Sequence, residues 1–137
     1  MRAVLDPNVL ISALLAPGGS PAKVLRAWLD GAYELVVSAL LLMELERALG
    51  YPKLRDRVDN LEAAELVDLL GREAQMFDDP ANAPAVRSPD PGDDYLIALA
   101  SAAQAVIVSG DRHLLTLVEA LPVYSPAQFL ALLDDGA

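Results

Sequence analysis

Carboxylates must carry whatever catalysis this chain performs. Cysteine is absent and His113 is the lone histidine. A thiol nucleophile, a thiolate or histidine-cluster zinc site and a histidine acid–base pair are therefore excluded within one chain. Asp6, Glu44, Asp94 and Asp111 are widely separated and, drawn from separate elements, offer the all-oxygen donor set that Mg²⁺ or Mn²⁺ prefers. Such a site suits phosphodiester hydrolysis. The substrate is a poor electrophile flanked by negative charge, and a cation is needed to neutralise developing charge and help deprotonate water.

Each acid also has a plainer reading. Asp6 and Asn8 fit the cap of a following helix. Glu44 neighbours Leu41, Leu45 and Ala48, while Glu46 neighbours Leu42, Met43 and Leu49, so helical periodicity does not separate a buried ligand from a solvated charge. Asp93, Asp94 and Asp111 fall in first turns, where negative charge favours the helix dipole. Lys53, Arg55 and Arg57, with Arg47 nearby, form the one basic cluster, which suits either an RNA backbone or a solvated helix end. Arg112 could contact the scissile region or neutralise a neighbouring acid. Ten Lys plus Arg against twenty Asp plus Glu give a net charge of −10, which at face value opposes a nucleic-acid partner. A site built of carboxylates accounts for part of that excess, and bound cations would reverse its local sign.

The elements that must position these residues alternate in type. Arg2 to Leu5 predicts a buried strand ending at Asp6, and Asn8 to Leu15 a helix stopped by Pro17, Gly18 and Gly19. Ser20-Pro21 predicts an N-cap opening a helix through Trp28, followed by a strand from Tyr33 to Val37. Ser38 caps a helix from Ala39 to Leu49 that Gly50 and Pro52 end. The longest helix is expected from Leu61 to Gln75, and Pro80, Pro84, Pro89 and Pro91 make the stretch from Asp78 to Gly92 a surface loop. A helix from Asp93 to Ala103, a strand from Ala105 to Val108, a helix from Asp111 to Ala120 and a strand from Pro122 to Tyr124 follow. Ser125-Pro126 then caps the closing helix to Leu133. This order implies a three-layer α/β/α sandwich, one domain over 1–137, with a mainly parallel sheet. In open α/β sheets ligands bind at the carboxyl ends of strands, and Asp6 and Asp111 both follow such ends. With 54% hydrophobic residues the chain can fill its core without disulfides.

Five segments in order resemble the PIN domain family, in the branch of toxin ribonucleases similar to VapC-type toxins. They are Val4 to Leu10 around Asp6-Pro7-Asn8, Ser38 to Leu45 with Glu44, Asp93 to Ala100, Ser109-Gly110-Asp111, and Val123 to Phe129. The resemblance implies a PIN-like fold and a metal-dependent endoribonuclease leaving 5′-phosphate and 3′-hydroxyl ends. It implies metal held by Asp6, Glu44, Asp94 and Asp111, with Asn8 and Ser109 in support. It further implies Mg²⁺ or Mn²⁺ as cofactor, an RNA substrate, a cognate antitoxin protein and a homodimer. Two positions depart from the family pattern. Pro7 replaces a hydroxyl residue and has no N–H to support Asp6, and His113 stands where a further acid is common.

Two other functions compete. Asp6-x-Asn8 and Ser109 weakly match a haloacid-dehalogenase-type phosphohydrolase, but that chemistry expects a second Asp at position 8 and a late lysine, and the lysines are Lys23 and Lys53. A PIN-like domain that binds RNA or protein without cutting is the alternative from another class. The longest apolar stretch, near residue 40, is broken by Glu44, short of the ~20 residues of a membrane span. No secretory leader opens the chain, so a cytoplasmic location without membrane contact is expected.

Overall fold

The computed structural model describes residues 1–135. Short β-branched runs become strands and the segments between them helices, in the order β1 (Arg2–Leu5), α1 (Pro7–Leu15), α2 (Ser20–Leu29), β2 (Glu34–Val37), α3 (Ala39–Leu49), α4 (Pro52–Arg55), α5 (Asn60–Glu73), β3 (Gln75–Met76), a 3-10 turn (Pro91–Asp93), α6 (Asp94–Ala103), β4 (Val106–Val108), α7 (Arg112–Leu115), β5 (Val123–Tyr124) and α8 (Pro126–Asp135). The strands form one parallel sheet in the order β3-β2-β1-β4-β5. The expected mainly parallel α/β architecture is thus observed. In this strand order, right-handed crossovers put α6 on the face opposite α1 to α5. There α6 packs on β1 and β4, while α1 packs on α2 and α3, α2 on α8, and α3 on α5.

Beyond Arg2 and Glu34 at their first positions, the central strands are apolar because both faces are covered. Ala3, Val4, Val36, Ile107 and Val108 are buried. At the junction of α2, β2 and α8, the buried Phe129 ring meets Tyr33 edge-on, with centroids 4.9 Å apart at 87°. The Tyr33 hydroxyl donates to the Val24 carbonyl at 2.9 Å, so Tyr33 is the core residue its position suggests.

Several boundaries differ from expectation. Gly19, not Ser20, is the N-cap of α2, and no side chain caps it. The basic stretch folds into the single-turn α4, opened by Pro52 at its first position; Pro52 both ends one helix and starts the next. Gln75 does not continue the long helix but pairs with Val36 in β3. The helix after β4 stops at Leu115, with the Thr116 hydroxyl donating back to the His113 carbonyl at 2.9 Å. Tighter turns follow, such as Leu117 N–H to the Leu114 carbonyl. At α8 the expected cap is reciprocal: Gln128 N–H donates to Ser125 Oγ at 3.2 Å, and Ser125 N–H donates to Gln128 Oε1 at 2.9 Å.

Candidate functional site

Neighbouring parallel strands carry the first two acids to one edge. Leu5 of β1 lies opposite Val108 of β4, so the next residues, Asp6 and Ser109, leave the sheet side by side. Asp6 N–H continues the ladder to the Val108 carbonyl at 3.0 Å, and Ser109 N–H reaches the Tyr124 carbonyl at 2.9 Å. The buried Ser109 hydroxyl donates to Asp6 Oδ2 at 2.8 Å and accepts from Asp111 N–H at 3.0 Å. Ser109 therefore links both acids. Asn8 N–H donates to Asp6 Oδ1 at 3.0 Å, which supplies the backbone donor that Pro7 lacks.

Cap and site coincide at two of these positions. Asp6 caps α1 through Asn8 N–H, and Asp111 caps α7 through the 2.8 Å hydrogen bond from His113 N–H to Asp111 Oδ1. A carboxylate has two oxygens with about four lone-pair directions, so one capping bond leaves acceptor capacity free. Burial pushes the Asp6 carboxyl above its ordinary range, against the lowering effect of its bonds from Asn8 and Ser109, and Asp111 adds to the rise.

The third acid at this edge is Asp93. It is the N-cap residue of α6, yet its side chain makes no capping bond. Burial raises its carboxyl to about 7, with further contributions from a side-chain hydrogen bond to Asp111 and from the charges of Asp111, Asp6 and Asp90. Asp93 Oδ2 is buried without a hydrogen-bond partner. Asp94, the expected ligand, faces elsewhere. Its Oδ1 accepts from Ser88 N–H at 2.8 Å, and its Oδ2 is 3.8 Å from Arg87 Nη1, so it holds the proline-rich loop onto α6.

Glu44 reaches the same neighbourhood from α3. It pairs with Arg47 at 2.6 Å. Tyr95 of α6 shows the convergence electrostatically: burial raises its phenol, and Asp6, Glu44, Asp93 and Asp79 raise it further, in that order. Asp79 escaped sequence reasoning because it lies in the loop. Its Oδ2 accepts from Leu40 N–H at the start of α3 at 3.0 Å, and its Oδ1 is buried and unpartnered. The clue available in the sequence was an Asp three residues after the short segment that became β3.

Among the described residues no three acidic or histidine side chains stand close enough to hold a metal ion as they are. The donor set nevertheless fits a hard divalent cation. Its donors are oxygens, Asp93 Oδ2 lacks a partner, and burial, with the charge of neighbouring acids added, raises the proton affinity of Asp6 and Asp93. Asp6, Asp93 and Asp111 are the residues that would hold such an ion, with Glu44 contributed from α3.

A pH dependence follows for the metal-free protein. Asp93 titrates at about 7 when folded and near ~3.9 when unfolded. Between those values the folded state keeps a proton that the unfolded state has released. This contribution to stability is complete below about 4 and is lost as pH rises through about 7. In EDTA the wild-type Tm is expected to fall from pH 5 to pH 8 more steeply than that of Asp93→Asn, and excess Mn²⁺ should recover the wild type at pH 8. Parallel Tm–pH curves for the two proteins would contradict the shift.

The basic residues divide. Lys53 and Arg57 line a cavity of about 540 Å³ that also contains Asn8. Arg55 lines a different cavity with Glu46 and Asp68. Arg112 is exposed on α7. No helix among the described residues is long and apolar enough to cross a membrane.

Comparison with known proteins agrees with the fold. The PIN domain family model matches residues 2–113. An uncharacterized protein of Methanocaldococcus jannaschii, MJ1680, is 28% identical over 118 residues, covering 85% of this chain and 75% of that protein. Among solved structures, VapBC2 from Rickettsia felis bound to a DNA fragment from its promoter superposes with a TM-score of 0.62 at 15% identity, covering 91% of this chain and 98% of the matched one. FitAcB from Neisseria gonorrhoeae superposes with a TM-score of 0.55 at 20% identity, with coverage of 91% and 98%.

Proposed function

The chain belongs to the PIN domain family, and from that premise we propose that it is a metal-dependent endoribonuclease using Mg²⁺ or Mn²⁺ to hydrolyse RNA to 5′-phosphate and 3′-hydroxyl products. The observation that carries this reading is the meeting of Asp6, Asp93 and Asp111 at the carboxyl edge of the sheet, with a buried, unpartnered oxygen on Asp93. A divalent cation there would supply positive charge to the scissile phosphate and lower the pKa of an attacking water.

The chain's own residues set the rest. Ser109 and Asn8 hold both oxygens of Asp6, which fixes the direction of its free lone pairs. Asp111 is oriented by two backbone N–H bonds, one donated by His113 to its carboxylate and one donated by Asp111 itself to Ser109. In this reading Asp93 replaces Asp94 in the ligand set proposed from sequence, and Asp94 keeps the role of loop anchor. Glu44 remains in the set as the acid contributed by α3.

Purified protein is expected to cleave single-stranded RNA in Mn²⁺, to stop in EDTA and to resume when Mn²⁺ is returned in excess. Cleavage indifferent to EDTA, or none in Mn²⁺, would rule the reading out. A domain that binds without cutting draws on one observation, the lack of a ready-made three-acid cage. Calorimetry with no Mn²⁺ uptake by folded protein would favour it.

The family resemblance extends the proposal to a toxin neutralised by a cognate antitoxin protein, to homodimerisation and to a cytoplasmic location. VapBC2 and FitAB are structural neighbours whose solved forms include DNA complexes. That is compatible with a partnered life for this chain. Growth arrest on expression, relieved by an adjacent gene product, is the corresponding cellular behaviour.

A further inference from the structure

In the loop from Asp78 to Gly92, Ser88 is the one buried residue, at 6% exposure. Loops run over the surface, and a polar residue taken out of water needs partners. Ser88 has two. Its N–H donates to Asp94 Oδ1 at 2.8 Å, and its hydroxyl accepts from Asp90 N–H at 3.2 Å. Asp90 carries the tie onward: its carbonyl accepts from Asp93 N–H and its Oδ1 from Gly92 N–H, each at 3.0 Å, and these bonds shape the 3-10 turn over Pro91–Asp93. Pro89 and Pro91 flank Asp90 with fixed φ, which leaves the turn few alternatives. The segment from Ser88 to Asp94 is thus closed into a ring that Ser88 grips at both ends. The ring decides which carboxylate is free. Asp94 is spent on Ser88 and Arg87, and Asp90 on Gly92. Asp93, at φ −93° and ψ −7° where the turn ends, keeps its side chain for Asp111. Successive helical residues point ~100° apart, so a turn shifted by one residue would present Asp94 in its place.

We propose that Ser88 is a positioning residue for the acidic centre: by holding the turn between Asp90 and Asp94 in one register, it aims Asp93 at the place where the cation would sit. The inference rests on the metal-dependent reading above and deepens it. Ser109 orients Asp6 by bonding to its carboxylate. Ser88 works at one remove, through the N–H groups and carbonyls of the turn, which is why a loop serine three residues upstream of an acid is buried and doubly bonded. The two ties divide the work: the bond to Asp94 fastens the loop to α6, and the bond from Asp90 sets where the turn begins.

The test asks whether Ser88 acts through Asp93. Ser88→Ala removes the acceptor for Asp90 N–H and keeps the N–H that holds Asp94. Titration calorimetry of the full chain with Mn²⁺, with thermal melts alongside, is expected to show affinity reduced roughly 2- to 30-fold, the span of couplings carried through such networks. Added to Glu44→Gln, Ser88→Ala should cost the same factor again. Added to Asp93→Asn it should cost nothing further, because the carboxylate that it aims is gone. A loop anchor serving stability alone would weaken both backgrounds alike. Amide exchange in EDTA supplies a metal-free readout: Asp93 N–H, bonded to the Asp90 carbonyl, should exchange faster in Ser88→Ala while the amides of α5 keep their rates. Affinity untouched by Ser88→Ala, equal losses in the two backgrounds, or unchanged exchange at Asp93 overturns the proposal. Failure of the two readings is distinguishable. Folded wild type that takes up no Mn²⁺ defeats the metal reading and the positioning role with it, whereas equal uptake by wild type and Ser88→Ala defeats the positioning role alone.

Discussion

Asp93→Asn is expected to lower the proposed metal-dependent RNA cleavage by about 10²–10³-fold, the scale seen when one group stabilising developing charge is removed, while Asp94→Asn is expected to retain most of it. The two neighbours differ in what they face. Asp93 meets Asp111 and Asp6 and has a buried oxygen without a partner. Asp94 accepts from Ser88 N–H, and an amide oxygen can still accept that bond, though less strongly than a carboxylate. Its remaining loss is the 3.8 Å attraction to Arg87, whose side chain is 61% exposed, a pair of the kind that contributes less than ~1 kcal/mol. Asp93→Asn should fold normally, because it removes a buried charge repelled by its neighbours. Steady-state cleavage with both purified variants, alongside thermal melts, decides the matter. The reverse ranking would return Asp94 to the metal site and remove Asp93.

Ser109→Ala is expected to weaken the proposed Mn²⁺ binding by about 10–100-fold, the usual consequence of losing a partner that orients a ligand. Ser109 has no solvent exposure and acts in two directions, donating to Asp6 and accepting from Asp111 N–H. Without the hydroxyl, Asp6 Oδ2 would be buried with no donor, and Asp111 would lose one of the two bonds that set its direction. Titration calorimetry reads this directly. An unchanged Kd would mean that Asn8 N–H alone suffices to hold Asp6.

The edge of the sheet was readable because its signals are local. An apolar β-branched run that ends in an acid puts that acid at a strand's carboxyl end, as happens at Asp6 and, two residues on, at Asp111. Caps at Ser38 and Ser125 were legible for the same reason, since a side chain and an N–H three residues ahead are enough to form them. Asp93 was not separable from Asp94 by pattern. The choice depends on a 3-10 turn over Pro91–Asp93 that delays the helix to Asp94, and a one-residue delay rotates a different carboxylate toward the site. β3 was hidden because its two residues owe their extended state to Val36 and Val37 across the sheet. The split of Arg55 from Lys53 and Arg57 required the single turn of α4, too short for periodicity to announce.

The rung that joins Asp6 to Ser109 links positions 103 residues apart. While the chain emerges from a ribosome, β1 can pair with β2, but its other edge stays open until β4 arrives. Domains are built vectorially during synthesis, so no acid centre exists on a nascent polypeptide until Asp111 has cleared the exit tunnel. Because β4 joins the free edge of β1 only after most of the chain has been made, the acidic edge of the sheet is completed late in synthesis.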